Sequence, residues 1–451
     1  MNRLIQFLSA NSHIRHATPD STDFAELREQ FVIQETRTPR IIVRPRTIED
    51  IASLVKVLTI SNLPFSVRGG GHDMFGRTVV QDGVLIDMRD ISHVYVDKAS
   101  HTAQVGGGVI NLDLHRELDK HKMTTAHAVT PSVGYTGWAI HGGYGLLSTN
   151  HGLGSDQIVG ARVVDGQGNI VDADETLLMA IRGGGGSVAV IYELLIKVYP
   201  SEKVRYLGGF FAYQSADLVA TIRQYNENYR KLKEEGIPRA MGLYQAVMDG
   251  PEGRAFTVFV IWSSSNLEEG QKWVDRVAEL APIAVKNVAP TTILEFSEVA
   301  ATLTEKMSYA TIFCPGFYDL TPEVIDIVGT FAKSRPNYSG PALGIHELRA
   351  EAPREFANSV FNARDPHFLV EILPLSSSPK AFEELREWGQ RFYDALMKTD
   401  PANIYPISYI PLNPDEKLDL RVIYGNRYET LKKVKQEYDP KNVFKHSVVR
   451  P

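Results

Sequence analysis

Residues 130–154 read TPSVGYTGWAIHGGYGLLSTNHGLG, a stretch apolar enough to be core yet broken by Gly134, Gly137, Gly142, Gly143 and Gly145. Glycine loses more conformational freedom on folding than any other residue and packs nothing, so something must come close to this main chain. Two further runs share the feature. In VRGGGHDMFG, residues 67–76, an apolar strand empties into three glycines before His72; IRGGGGSVAVIYEL, residues 181–194, again leads glycines into an apolar strand. Consecutive glycines let successive N–H groups converge on an anion. A diphosphate lying across such loops accounts for the glycines and for the lack of a lysine beside them.

The usual nucleotide motifs are missing. No Gly-x-Gly-x-x-Gly opens a helix after the first strand, and no Gly-Lys-Ser/Thr closes a P-loop. His-Glu-x-x-His, paired cysteines and a Gly-x-Ser-x-Gly elbow are absent as well, so no metal site is expected. The 451 residues, 43% hydrophobic and 23% charged, suit an ordinary globular protein. At about 150 residues each they allow two or three domains. A formal charge of -6 without a basic block argues against nucleic acid. No apolar run approaches the roughly 20 residues of a membrane span. The patch Leu4–Leu8, interrupted by Gln6, is too short for a signal-peptide core, and the single cysteine, Cys314, forbids an intrachain disulfide. Both favour a reducing, cytoplasmic setting. Cys314, in ATIFCPGF with no partner chemistry nearby, reads as a buried structural thiol.

Periodicity organises the rest. Ile51, Leu54, Val55, Val57 and Leu58 have helical spacing after a start at 45–50, a further helix covers VINLDLHRELDKHK, and Asp165-Gly166-Gln167-Gly168 turns a hairpin. Near Pro200 the glycine density falls. Long amphipathic helices such as LVATIRQYNENYRKLKEE then alternate with strands such as RAMGLYQAVM, ATIFCPGFYDL, ALGIHELRAE and HFLVEILPL, which predicts a sheet covered by helices on one face.

Taken together, RGGGHDMFG, the segment from TPSVG to GQGNI, and YGNRYETLKKVKQEYDPKNVFKHS resemble the FAD-linked oxidases of the berberine bridge enzyme type, in particular the 6-hydroxynicotine oxidase branch. The resemblance implies an α+β fold: a PCMH-type FAD-binding domain of two α/β subdomains over residues 1–200, a substrate domain with an antiparallel sheet covered by helices over 201–415, and a segment 416–451 returning to the first domain. It further implies that His72 carries FAD covalently through the C8 methyl carbon, among Arg68, Gly69, Gly70, Gly71, Asp73 and Gly76. Thr130, Pro131, Ser132, Val133 and Gly134 form the next contact, followed by Gly137, Trp138 and His141, then Gly142, Gly143, Gly145 and Leu146, with Asp156 and Val190 beyond. Many relatives add a cysteine tether where Thr130 stands, so a single link is expected. Val133 falls where the family gates oxygen, and valine resembles the oxidase pattern. Asn426 matches an asparagine beside the isoalloxazine, although a capping role before a helix serves equally. The chain departs from the family at Met179, at Ser187, Val188 and Ala189, and at Ser408 in YPISYIP.

Hydride transfer to flavin N5 needs a C–H held against the ring and often a base for an O–H or N–H proton. Strand alternation offers Tyr309, His346, Glu371, Tyr405 and Tyr409, with Tyr409 and His346 leading. Each serves equally well as a half-buried side chain with its polar end satisfied. His346 shares a face with Gly344 and Leu348, whereas Glu347 and Arg349 point away. The expected substrate is a small, apolar, partly aromatic secondary metabolite (alkaloid, polyketide or amine), oxidised by desaturation, C–N oxidation or ring closure with O2 reduced to H2O2. A dehydrogenase using another acceptor, and a flavin-bearing cyclase or binding scaffold without net redox, stay open.

Overall fold

The structure, a computed structural model, describes all residues except 34–35, 202–205, 251–252, 303–307, 339, 350–357, 407–418 and 448–449. Near the N-terminus, Ile41–Arg44 and Phe65–Arg68 run parallel to Val84–Asp87 between them, with Arg15–Ala17 antiparallel at the edge. Helix Ile48–Ile60 covers this sheet. It begins at a capping box in which the Thr47 hydroxyl accepts from the Asp50 N–H (3.1 Å) while the Asp50 carboxylate accepts from the Thr47 N–H (3.1 Å). The cap turns most of the predicted stripe inward, burying Ile51, Leu54, Val55 and Leu58 and leaving Val57 half-buried. A second, antiparallel sheet places Val94–Asp97, Thr102–Gly106, Val190–Lys197, Ile158–Val164 and Ile170–Asp172 side by side. Its last hairpin turns on Asp165, whose carboxylate accepts from the N–H groups of Gln167 and Asn169, each at 2.8 Å.

The remaining large sheet has eight strands, in the order Ile283–Thr291, Tyr206–Tyr213, Gly253–Trp262, Met241–Gly250, Pro341–Leu348, His367–Ile372, Gly316–Phe317 and Ile404–Tyr405. Every neighbouring pair is antiparallel. Helices Leu218–Glu234, Leu267–Ala278, Pro322–Ser334 and Pro379–Leu396 bury one face around Phe256, Trp262, Trp388 and Phe392. Glu347 and Arg349 look toward these helices: the Tyr229 hydroxyl donates to Glu347, and Arg349 Nη1 lies 3.3 Å from the Tyr229 oxygen. Alternation therefore turns His346 to the opposite face.

ATIFCPGFYDL is not one strand. Only Tyr309–Ala310 and Gly316–Phe317 pair as strands, with Phe313 making an isolated bridge to Ile372. Pro315 has no N–H for a continuous ladder. Cys314 is buried as expected; burial, with help from Glu371, pushes its thiol well up, which keeps it protonated and inert. The chain closes with helix Tyr428–Tyr438, whose Leu431 and Val434 share a core with Leu177 and Ile181 of helix Glu175–Gly184. Lys435 fastens it, donating to the Ser187 carbonyl (2.8 Å) and the Asp439 carboxylate (2.6 Å). The fold is thus α+β, and no described helix is long and apolar enough to cross a membrane.

Candidate active site

The conspicuous glycines do different jobs. A Cβ on Gly70 would lie 2.3 Å from the Gly134 nitrogen, and one on Gly134 2.5 Å from the Gly70 nitrogen. The first two glycine loops are therefore pressed together, main chain on main chain. Gly142, Gly143 and Gly145 serve packing too: added Cβ atoms would meet the Phe361 ring at 2.6 Å, the Gly154 Cα at 2.8 Å and the His127 carbonyl oxygen at 1.9 Å. Gly137 and Gly186 differ. Nothing stands within 4 Å of a Cβ on either, and both line a cavity of about 480 Å³.

One wall of this cavity carries His72 with Gly69, Gly70, Gly71 and Asp73, then Thr130, Val133, Gly134, Trp138, His141 and Val190. The His72 ring stacks on Phe31 with centroids 4.1 Å apart and planes 11° from parallel. Burial pushes its pKa down to about 4, so the imidazole is neutral and keeps a nucleophilic nitrogen. Among the described residues, the N–H groups of Gly70, Gly71 and His72 find no acceptor in the protein. Unpaired N–H donors beside bare Cα surfaces fit a phosphate-bearing, flat-ringed group such as FAD.

Other residues assigned to the cofactor stand off this wall. Arg68 is buried with its Nη2 2.8 Å from Asp87 and 2.6 Å from the Leu27 carbonyl, so it ties the strand to the preceding segment. Gly76 turns the chain at φ 62°. The Pro131 carbonyl accepts from Leu112 (2.9 Å), and neither it nor Ser132 lines the cavity. Leu146 packs on Tyr206 and Ile261. Asp156 caps the Leu153 N–H (2.8 Å) and receives Arg364 Nη1 at 2.6 and 2.9 Å. Burial still raises its pKa above the usual value. Asn426 is exposed in the turn Gly425–Arg427 and away from the cavity. At the departures, Ala189 lines the cavity, Val188 is buried, and the Ser187 hydroxyl donates to the Gly184 carbonyl (2.7 Å).

The eight-stranded sheet supplies a second wall with Tyr244, His346 and Glu371. Register places Tyr244 opposite His346, and Gly344 opposite Glu371. The Tyr244 hydroxyl donates to Glu371 Oε2 (3.1 Å), and His346 Nε2 lies 3.3 Å from the same oxygen. Burial opposes a charge on Glu371, but the attraction of His346 and hydrogen bonds from His346 and Tyr244 outweigh it and hold the carboxyl below its usual range. Gly344 makes the triad possible, since a Cβ there would sit 1.8 Å from the Tyr244 oxygen.

Two of the five catalytic candidates, His346 and Glu371, thus come together on the cavity. Tyr309 pairs with Ser376 and stacks near Phe382 (6.1 Å), and Tyr405 lies flat on His367 (4.1 Å, 3°); neither lines it. Tyr409, like Ser408, lies outside the described residues. Tyr244 escaped the sequence reading, although a glycine two residues before His346 on one strand face was its signal. Tyr144, Phe444 and His446 also line the cavity, and no local pattern marks them.

Comparison with known proteins finds an FAD-binding family and related folds. The family described as FAD binding domain matches residues 39–174, and that described as Berberine and berberine like matches 414–448. The FAD-linked oxidoreductase aurO of Gibberella zeae is 29% identical over 450 residues, covering 98% of this chain and 86% of the relative. The (R)-6-hydroxynicotine oxidase of Paenarthrobacter nicotinovorans is 25% identical over 450 residues, covering 95% and 94%. The crystal structure of 6-hydroxy-D-nicotine oxidase from Arthrobacter nicotinovorans superposes with a TM-score of 0.84 at 21% identity, over 97% of this chain and 98% of that one.

Proposed function

The chain belongs to the FAD-linked oxidoreductases of the berberine bridge enzyme-like family, and from that premise we propose that it is an oxidase acting on a small, largely apolar or aromatic metabolite, with its flavin tethered once, through His72, and O2 as electron acceptor. The observation that carries this reading is that His72 and Glu371 line one cavity, the first on the glycine wall and the second on the sheet wall. When bound, FAD supplies the hydride acceptor.

The chain's own residues supply the rest. The neutral His72 nitrogen offers an attachment point, and the N–H groups of Gly70, Gly71 and His72 offer an anion cradle. Thr130 has no thiol, so the tether is single. Ala246, Met248, Phe259, Phe296 and Leu343 give an apolar surface that orients the ligand and excludes water. Glu371 takes an O–H or N–H proton as the C–H is oxidised, and Tyr244 and His346 fix the carboxylate that receives it. Desaturation, C–N oxidation and oxidative ring closure all use this arrangement.

The test is direct. Acid-precipitated protein should give a yellow pellet, and His72→Ala should lose that colour. An anaerobic panel of alkaloids, polyketides and amines should include one that bleaches the flavin, with air restoring the colour and releasing H2O2. A colourless preparation, or turnover of the active compound without bleaching, would overturn the proposal.

A further inference from the structure

A second hydrogen-bonded pair borders the cavity beside the triad. Tyr144 lines it, 5.8 Å from His346 between ring centroids, and its hydroxyl lies 2.7 Å from His367 Nε2. Trp138 Nε1–H holds the Tyr144 carbonyl at 3.0 Å, so the segment carrying Tyr144 is fixed.

The direction of that bond follows from the other side of the imidazole. His367 Nδ1 stands 2.7 Å from the Asp365 carbonyl oxygen. A carbonyl only accepts, so Nδ1 carries the hydrogen. Burial pushes the ring's pKa down to about 4. Near neutral pH the ring then has a single hydrogen, Nε2 is bare, and the Tyr144 hydroxyl must donate to it. Among the described residues, the Tyr405 ring stacks on the face of His367 and Asp365 is the charge that acts on it. Two groups of the triad have the same polarity. Glu371 accepts from Tyr244 and His346, so neither the carboxylate nor the Tyr244 oxygen has a hydrogen to offer a ligand.

We propose that His367 is a positioning residue: by taking the Tyr144 hydrogen it turns the Tyr144 oxygen into an acceptor, adds it to the acceptors of Tyr244 and Glu371, and thereby selects ligands that present an O–H or N–H there. The inference deepens the oxidase reading and rests on it. It commits the substrate to a free hydroxyl or amine N–H at its oxidised end, and it excludes the corresponding methyl ether. A site built to hydrogen-bond one partner rejects the analogue that leaves its buried groups unpaired.

The experiment titrates the oxidised holoenzyme with 2-naphthol and with 2-methoxynaphthalene at pH 7, reading the shift of the flavin absorption band. The wild type should prefer 2-naphthol by about tenfold or more, one hydrogen bond's worth. Tyr144→Phe and His367→Leu should bring the ratio of dissociation constants down about tenfold. His367→Gln, which restores an acceptor for the Tyr144 hydroxyl, should keep the preference, a rescue that a purely structural role does not predict. Nitrogen-15 histidine spectra should show an Nδ1–H tautomer that is missing in His367→Gln. Equal affinity in the wild type, no response to either compound, or an unchanged ratio in His367→Leu overturns the inference. A protein without flavin defeats the oxidase reading itself, whereas a flavoprotein blind to the methyl group defeats only this one.

Discussion

Gly70 and Gly134 meet main chain to main chain, each leaving less space for a Cβ on the other than any side chain could occupy. The contact joins the His72 loop to the loop that leads into Trp138, and so sets the shape of the cofactor wall. Gly134→Ala should lower stability by about 1–3 kcal/mol through overpacking against backbone that cannot yield. Gly137→Ala is the contrast. Its methyl meets nothing within 4 Å and it lies in the helix Tyr135–Ala139, so folding should be unharmed while the methyl intrudes on the cavity and weakens flavin retention. Urea unfolding and flavin-to-protein absorbance separate the two cases; equal stability of Gly134→Ala and wild type would contradict the packing argument.

Glu371→Gln should leave flavin content unchanged and reduce kcat/KM about 10²–10⁴-fold, the range for a lost general base. Gly344→Ala should act on the same group indirectly, because its Cβ displaces the Tyr244 hydroxyl from Glu371. Its loss of activity should come with full flavin loading. If the glutamine variant turns over at the wild-type rate, the base lies elsewhere.

Asp156→Ala should destabilise by about 3–5 kcal/mol, since it removes the carboxylate that faces the mostly buried Arg364 guanidinium and uncaps Leu153. The flavin spectrum of the folded fraction should match the wild type, because Asp156 does not line the cavity. A shifted flavin band with unchanged stability would return this residue to the cofactor site.

Acid should weaken the protein earlier than carboxylates alone would cause. Burial pushes His127, His141, His151 and His367 each down to about 4, against an ordinary value of about 6.5. Between those values the unfolded chain binds more protons than the folded one, so stability rises with pH across that window. It should be greatest above about pH 6.5 and fall progressively toward about pH 4, with lowered carboxyls such as Glu371 adding their share only below about 4.3. Melting temperatures by circular dichroism from pH 8 to 4 check this; a flat profile between pH 7 and 5 would contradict it.

Much of the framework was legible along the chain. Apolar periodicity at Ile51, Leu54, Val55 and Leu58 reports a helix face because a helix repeats every 3.6 residues. Alternation at Gly344, His346 and Glu347 reports strand faces because side chains in a strand point to opposite sides in turn. The motifs around His72, Trp138 and Asn426 carried the family, which the matches at residues 39–174 and 414–448 support. The glycines were visible but their reasons were not: main-chain contact at Gly70 and Gly134, ring packing at Gly142 and open cavity at Gly137 look alike in one dimension.

Short motifs along the chain determined the family resemblance and, through it, an α+β flavin-binding fold with His72 as the expected attachment point, since such motifs are local in sequence. Only the tertiary structure decided which polar groups face the cavity together. Tyr144 and His367 are 223 positions apart and Tyr244 and Glu371 are 127 apart, and such pairs form only when sheet register and loop packing bring distant segments within a hydrogen bond.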